Sequence, residues 1–537
     1  MNDAFGSRFV KNRPWFVPCL HFCIVRKFSV VGLGLKKSLG DEMKRVGKVV
    51  KWLSLGAGTV MLATVLVLFA YPSREVVVEA ATLYAASCNQ GDVQVAIDAA
   101  EVGDIVQVPD GDCAWSSTVL IQKAILLKGN GNYAVDGDHH DVGTWPLTIT
   151  ISGTSAIEID GSAGDFIRVT GFQFLGTAPG GTGGHGGAIY VPASNQADWR
   201  VDNSRFQVSG NSVKSEGNFG LIDHIYTYDT GCTTASWIVV SDLRTDWMGN
   251  GAFTEPVGFG GPNFLFIEDS TFWKHCTDAA TSPFVTDAQA GGKYVFRHNY
   301  VRDAATGWHG TESGAPERGG YAFEIYENEY FWPITNNKYH TAIFHRGGTA
   351  LVHNNTATNY QALWKSWVHR ATRAWGRFGQ CDGTQPHDGN AGVTNAPGYP
   401  CLDQVGRGMA SGTELDQIQP QGTSIVHIWN NTLINSGAVS HNNPSYVVEG
   451  RDYEISADDS AKPDWYTPYP YPHPLTQAGS SLQGDVNNDG EVDSQDILAC
   501  ADHILGRQDW GWATDVNQDG VVNVLDVQRV VGLMNSD

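Results

Sequence analysis

The stretches that decide the fold are YVFRHNYV (Tyr294 to Val301), FEIYENEY (Phe323 to Tyr330) and ALVHNNTA (Ala350 to Ala357). Each alternates apolar and polar side chains, breaks at an Asn and then resumes. Alternation with a period of two places one set of side chains on one face of a strand. Asn, Asp or Gly after it tolerates the left-handed backbone conformation that turns the chain into a second strand. The pattern extends backwards through LFIEDSTF (Leu265 to Phe272), IVVSDLR (Ile238 to Arg244), WRVDNSRF (Trp199 to Phe206) and FIRVTGFQF (Phe166 to Phe174), and forwards to IVHIWNNTL (Ile425 to Leu433). Aligned on Gly171, Asn203, Asp242, Asp269, Asn299, Asn328 and Asn355, the copies lie 32, 39, 27, 30, 29 and 27 residues apart. That recurrence is a solenoid period. One such coil cannot bury its own apolar face, but stacked coils can, with each strand paired in parallel to its counterpart. A β-sandwich or a propeller also supplies many short strands. The period is shorter than a four-stranded blade needs, and the corner residue keeps one phase. The expectation is a mainly β, right-handed, single-stranded parallel β-helix over residues 82–475.

Between Asn355 and Asn431 the period breaks. The interval holds a Trp, Arg and His rich stretch (Trp364 to Arg377) and a loop bounded by Cys381 and Cys401, and reads as an insertion on one face. The coil ends at WYTPYPYPHPL (Trp465 to Leu475), whose prolines at 468, 470, 472 and 474 favour an extended segment lying on the coil or leading away from it.

The composition is glycine-rich (62 residues), with Lys, Arg, Asp and Glu together at 17%. A net charge of -22 argues against a nucleic-acid partner, whose binding needs clustered Lys and Arg. At the N-terminus, Lys44, Arg45, Lys48 and Lys51 precede the uncharged stretch Trp52 to Ala70, with Ala80 and Ala81 beyond it. That is the order of a secretory signal peptide, so residues 1–81 read as an extension plus signal, with translation starting at Met43. The alternative is an uncleaved anchor, because this apolar stretch is long enough to span a bilayer. Either places the remainder outside the cytoplasm, at the cell surface or beyond. Cysteines there are candidate bridges: Cys88 with Cys113, Cys381 with Cys401, and Cys232 with Cys276. Cys500 is left over on a predicted helix, as a small buried apolar residue.

From Gly484 onward eleven acidic residues face only Arg507 and Arg529. Asp485, Asn487, Asp489, Gly490, Glu491, Asp493 and Asp496 occupy positions 1, 3, 5, 6, 7, 9 and 12 of a calcium loop, and Asp515, Asn517, Asp519, Gly520, Val521, Asn523 and Asp526 repeat that register. Alternating side-chain oxygens converge on one hard cation, the Gly permits the sharp turn, and position 7 supplies its backbone carbonyl. Two calcium sites are expected. After residues 476–483 as a linker, the segment 484–537 resembles a type I dockerin: two loops, each followed by an apolar helix (Ile497 to Leu505 and Val527 to Met534) and each ending in Asp. The resemblance implies docking onto a cohesin domain of a scaffold or surface protein. Positions 10 and 11 are Ser494 and Gln495 in one loop but Val524 and Leu525 in the other, a departure from the near-symmetry of that family.

The entrance to the coil carries a second resemblance. DVQVAIDAA (Asp92 to Ala100) reads as a short amphipathic helix, followed by GDIVQVPDGDC (Gly103 to Cys113) and TVLIQKAILLKGNG (Thr118 to Gly131). This resembles the opening of right-handed β-helix proteins of the pectin-lyase-like superfamily, in which a helix closes the open end of the coil. Such a coil serves lyases, hydrolases, epimerases and inert adhesins alike. Joined to a dockerin-like module, it implies a polysaccharide substrate. A lyase of uronic-acid polymers needs a cation to neutralise the sugar carboxylate and a base for the C5 proton. Candidates are His309 and Arg318 in WHGTESGAPERGG, His345 and Arg346 before the next strand, and Asp223 in LIDH, which resembles the Trp-Ile-Asp-His segment of pectate lyases with Leu221 in place of Trp. A calcium at that site is a further candidate cation. Hydrolysis ranks second: of the polygalacturonase motifs only Gly184, His185 and Gly186 are present. A non-catalytic glycan binder is the other class, with Trp364, Trp367 and Trp375 stacking on sugar rings.

Overall fold

The computed structural model describes residues 80–180, 186–229, 237–274, 284–311, 317–333, 340–371, 378–385, 388, 401–410, 421–476, 494–505, 524, 527–528 and 530–531. The N-terminal signal or anchor, Cys232 with Cys276, Trp375, and every calcium-loop ligand except Asp496 lie outside them. No described helix is long and apolar enough to cross a membrane.

One rung shows the rule of construction. Lys293–Arg297 forms its first strand, Tyr300–Arg302 its second and Thr306–Gly307 its third, after which the chain returns to begin again at Ala322–Tyr326. Each strand pairs in parallel with its successor: Lys293–Arg297 with Ala322–Tyr326, Tyr300–Arg302 with Glu329–Phe331, and Thr306–Gly307 with Thr341–His345. Repeated from Thr82–Tyr84 to Tyr453–Ile455, the strands gather into a 20-stranded sheet carrying the first and second faces, and into a 6-stranded and a 4-stranded sheet that form the third. The right-handed parallel β-helix read from the sequence is the observed fold, with the hand that parallel crossovers take.

The core is a set of stacked columns. On the first face, Val169, Val201, Ile222, Ile267, Phe296, Ile325, Val352 and Ile428 pair one to the next and are shut off from solvent. The corner to the second face is made by a left-handed residue in each rung: Gly171, Asn203, His224, Asp269, His298, Glu327, Asn354 and Asn430. The expected corner positions Gly171, Asn203 and Asp269 match. In the later rungs the left-handed residue lies one place earlier, and Asn299, Asn328, Asn355 and Asn431 instead turn inward as a ladder. Their amides bond rung to rung, at 3.1 Å from Asn299 Nδ2 to Asn328 Oδ1, 2.9 Å onward to Asn355 and 3.0 Å onward to Asn431. Asp242, aligned with them by sequence, sits beyond the third face, and its rung turns at His224. The bond from Asn355 to Asn431 also makes these residues neighbours in adjacent rungs, so the chain between them is an insertion, as its broken period indicates.

The open end is closed by α1 (Gln90–Ala99), which buries Val93, Ala96 and Ile97. Gln94 donates from Nε2 to the Leu120 carbonyl at 3.1 Å and accepts the Leu120 N–H at 2.8 Å, occupying the edge of the first third-face strand. The disulfides Cys88–Cys113 and Cys381–Cys401 are both formed. Cys500 is buried in α2 (Ser494–Ile504).

The outer surface of the first face carries a buried row of charge: Arg200 on Asp223 (2.7 Å) and Arg297 on Glu268 (2.6 Å), with Glu324 beside them. The proline segment lies along this row. Arg297 donates to the carbonyls of Tyr469 and Pro470, each at 2.7 Å; the His473 N–H reaches Glu268 at 2.9 Å, Tyr466 donates to Glu324 at 2.5 Å, and Arg200 donates to the Thr476 carbonyl at 2.8 Å. The segment therefore runs back along the coil and satisfies guanidiniums that the sheet alone leaves short of acceptors. Replacing Asn328 by Ala removes donors to the Phe296 and Tyr326 carbonyls and the acceptor of Asn299. We predict a loss of about 2–3 kcal/mol, read as a lower urea midpoint; an unchanged midpoint contradicts a structural ladder.

Candidate active site

The third face presents an outward column in which Glu158, Tyr190, Lys214, Val239 and Asp287 pair in successive rungs. The alternate residues Ile157, Ile189, Val213 and Ile238 point into the core, so the strand period forces these polar groups outward. Lys214 is nonetheless only 2% exposed, and Glu216 4%. Glu216 collects the neighbours: the Tyr190 hydroxyl donates to it at 2.8 Å and the Lys214 ammonium lies 3.5 Å away. Burial pulls the Lys214 ammonium below the usual lysine range, against the opposing charges of Glu216 and Glu317. Burial, and then the charges of Asp160 and Glu216, push the Glu158 carboxyl up. Burial also raises the Tyr190 phenol.

One rung on, the Leu243 N–H donates to the Glu216 carbonyl at 3.1 Å and brings Arg244 alongside. Its guanidinium grips Asp242 with two bonds, Nε at 2.9 Å and Nη2 at 2.8 Å, while Asn218 holds the same carboxylate at 2.9 Å. The hydrogen bond to Asp242 raises Arg244, whose side chain stays 38% exposed. A further rung on, His309 holds Asp287 through Nδ1 at 2.7 Å.

Of the residues expected from sequence, the turn beyond the third face brings His309, Arg318 and Arg346 together. Only His309 and Arg346 are partly exposed. Arg318 is 1% exposed, lies 3.6 Å over the Phe253 ring and donates from Nε to Asp403 at 2.9 Å. Thr311 and the Gly319 N–H also bond that carboxylate. His345 faces the core: Trp364 Nε1 donates to its Nδ1 at 3.1 Å, and burial lowers it to about 3. Asp223 is on another face, paired to Arg200 and His224 under the proline segment. Trp364 is a correction to the sugar-stacking expectation, because it is fully buried within the coil. Trp367 is half-buried, edge-on to Phe344 with ring centres 5.4 Å apart. Cys381, Asp388 and Cys401 cluster as metal ligands would, but the two sulfurs form a disulfide and Asp388 accepts from Arg370 at 2.7 Å.

Sequence reasoning missed Lys214, Glu216, Tyr190 and Arg244. Val213–Ser215 is three residues long and lies between the repeats that set the period. The readable signal was two charged residues, Lys214 and Glu216, at alternate positions after an apolar Val.

Residues 483–535 match the family described as Dockerin type I domain, so the C-terminal segment is a dockerin. Type I dockerins bind calcium, and the Asp and Asn oxygens of both loops form a donor set suited to it. Helix α2 begins at Ser494, the tenth position of the first loop. No curated protein matches the chain. Among solved structures, an alginate lyase from Paenibacillus sp. strain FPU-7 aligns at 11% identity and TM-score 0.30, over 70% of this chain and 96% of its own. A PL6 family polysaccharide lyase from Pseudopedobacter saltans aligns at 14% and 0.33, over 74% and 89%. A mannuronic acid specific family 6 lyase from human gut microbiota aligns at 12% and 0.33, over 80% and 100%. The fold assignment itself rests on the strand pairing.

Breaking the Arg318 pair leaves Asp403 as an uncompensated buried charge. Arg318→Ala is predicted to cost about 3–5 kcal/mol of stability, measured as a lower thermal midpoint. A variant that melts like the parent contradicts this structural role.

Proposed function

We propose that the coil is a secreted enzyme that cleaves a uronic-acid-containing polysaccharide by β-elimination, tethered to a cohesin-bearing scaffold or surface protein by its dockerin. The observation that carries the reading is Lys214: an outward-facing lysine on the third face, almost withdrawn from solvent and held by Glu216, with its ammonium destabilised by burial. A lysine biased toward its neutral amine is suited to take the C5 proton of a uronate. As that C–H bond breaks, its electron pair forms the C4–C5 double bond and the C4–O glycosidic bond departs with its own pair. The departing oxygen needs a proton, and the Tyr190 hydroxyl in the adjacent rung is the candidate donor. Arg244, Arg346 and His309 supply charge and hydrogen bonds for the sugar carboxylate on neighbouring rungs. In this reading Arg318, His345 and Asp223 hold the scaffold, and Trp367 is the remaining described aromatic for sugar contact.

Calcium belongs to the dockerin, where it orders the loops for partner binding. Asp485, Asn487, Asp489, Asp493 and Asp496 would hold one ion with the Glu491 carbonyl, and Asp515, Asn517, Asp519, Asn523 and Asp526 the other with the Val521 carbonyl. Calorimetry on the full chain is expected to show saturable calcium binding, lost on Asp485→Ala combined with Asp515→Ala. Absence of saturable binding by the parent removes the two-site assignment.

Incubation with pectate, alginate and glycosaminoglycans is expected to yield unsaturated-uronate absorbance from one of them, abolished by Lys214→Met. The rate should rise with pH through an apparent pKa below about 10.4, the ordinary lysine value, because the neutral amine is the working form. New reducing ends without that absorbance would indicate hydrolysis. Binding with neither would make the coil a non-catalytic glycan binder.

A further inference from the structure

Trp247 lies in the turn that follows the third-face strand Ile238–Val240, and it is 57% exposed. Its indole has no hydrogen bond or ring contact among the described residues. The other largely exposed described aromatics stand elsewhere: Tyr84 in the entrance strand, and Trp465 and Tyr471 on the proline segment over the first face. Of the tryptophans expected to meet sugar, Trp364 is in the core and Trp367 is half-buried against Phe344. A single exposed apolar side chain is ordinary on a protein surface. Trp247 is set apart by how firmly its backbone is held and by what stands beside it.

Asp246 closes the turn, accepting the N–H groups of Met248 at 2.9 Å, Gly251 at 3.2 Å and Asn250 at 3.3 Å. The Met248 carbonyl accepts the Arg318 N–H at 3.0 Å. Gly249 takes a left-handed conformation, and a Cβ there would collide with the Ala290 carbonyl. Just beyond, Phe253 packs on Tyr321 with ring centres 4.4 Å apart and carries the Arg318 guanidinium on its face. The chain around Trp247 is thus fixed to the next rung while the ring itself stays in solvent. An aromatic mounted in this way has only its two side-chain torsions to lose on binding.

The place suits a glycan. The Leu243 N–H bonds to the Glu216 carbonyl, and Trp247 follows four residues later, so its Cα lies within about 14 Å of Leu243. Between them, Arg244 keeps a partly exposed guanidinium. Asp242 is held by Arg244 and Asn218, and Asp246 by backbone N–H groups, so both carboxylates of the turn are engaged. A pyranose presents a face of C–H bonds that packs on an indole, the apolar complement to contacts made through charge.

We propose that Trp247 is a sugar-stacking platform, against which a ring of the bound chain neighbouring the one at Lys214 lies flat. The proposal rests on the glycan reading above and adds to it a binding residue that takes no part in proton transfer.

The test is oxidation of exposed indoles by N-bromosuccinimide on the full chain, mapped by peptide mass, with and without oligosaccharides of pectate, alginate and glycosaminoglycans. One of these is expected to protect Trp247 and to leave Trp465, exposed on the first face, reacting as before. Trp247→Ala, at a surface position, should melt like the parent yet weaken binding of that oligosaccharide about ten-fold, the scale of one aromatic contact. Trp247→Phe should recover part of the loss. In turnover the Ala variant should raise KM and leave kcat near the parent value. Unprotected Trp247 at saturating oligosaccharide, equal protection of Trp465, or parent-like affinity of Trp247→Ala overturns the platform. If unsaturated product still forms in that case, the lyase reading stands without it. Protection of Trp247 with no product keeps the platform and removes the lyase reading. Failure of every oligosaccharide to bind removes both.

Discussion

A strand of three to five residues cannot shelter its inward side chains until another strand stacks on it, and this dependence governs the whole coil. Each rung's apolar residues become a core only as members of a column, such as the one running from Val169 to Ile428. Columns require identical corners, because a corner shifted by one residue would turn every following side chain to the wrong face. In the later rungs the Asn299, Asn328, Asn355 and Asn431 ladder enforces that identity by joining one corner to the next through side-chain amides. The left-handed residues before them, including His298 and Glu327, are unfavourable in isolation and are held by the ladder.

The same geometry explains how charge comes to be buried outside the core. Outward columns repeat at the parallel strand spacing, so an Arg in one rung meets a carboxylate in the next without any designed loop. On the first face this produces Arg200 with Asp223 and Arg297 with Glu268, closed over by the returning proline segment. On the third face it produces Tyr190, Lys214 and Glu216, brought together from adjacent rungs. The first face is covered by the returning segment. The insertion can grow at a turn because a turn residue is outside every column, and stacking resumes from Asn355 to Asn431 as though the intervening chain were absent.

Much of this was legible in the amino-acid sequence. The rung period, the closing helix, the two described disulfides, the insertion and the dockerin loops all depend on local patterns or spacings, and local patterns survive in one dimension. Alternation declares a strand, and an Asx or Gly declares a turn. Paired acidic loops declare a hard-cation site because their ligands all lie within a dozen residues of one another.

What the tertiary structure decided was which polar residues face each other. His309, Arg318, His345, Asp223 and Trp364 look equivalent as chemistry-bearing residues in sequence. Stacking divides them: Trp364 and His345 point into the core, Asp223 lies beneath the proline segment, and Arg318 is spent on Asp403. Lys214 and Arg244 drew no attention in sequence because their significance comes from neighbours one rung away, which only the closure of the coil brings within reach. Sequence determines the period of a solenoid through residue-by-residue preference. Burial, pairing and pKa arise between rungs, and the register that sets them exists only after the coil has closed.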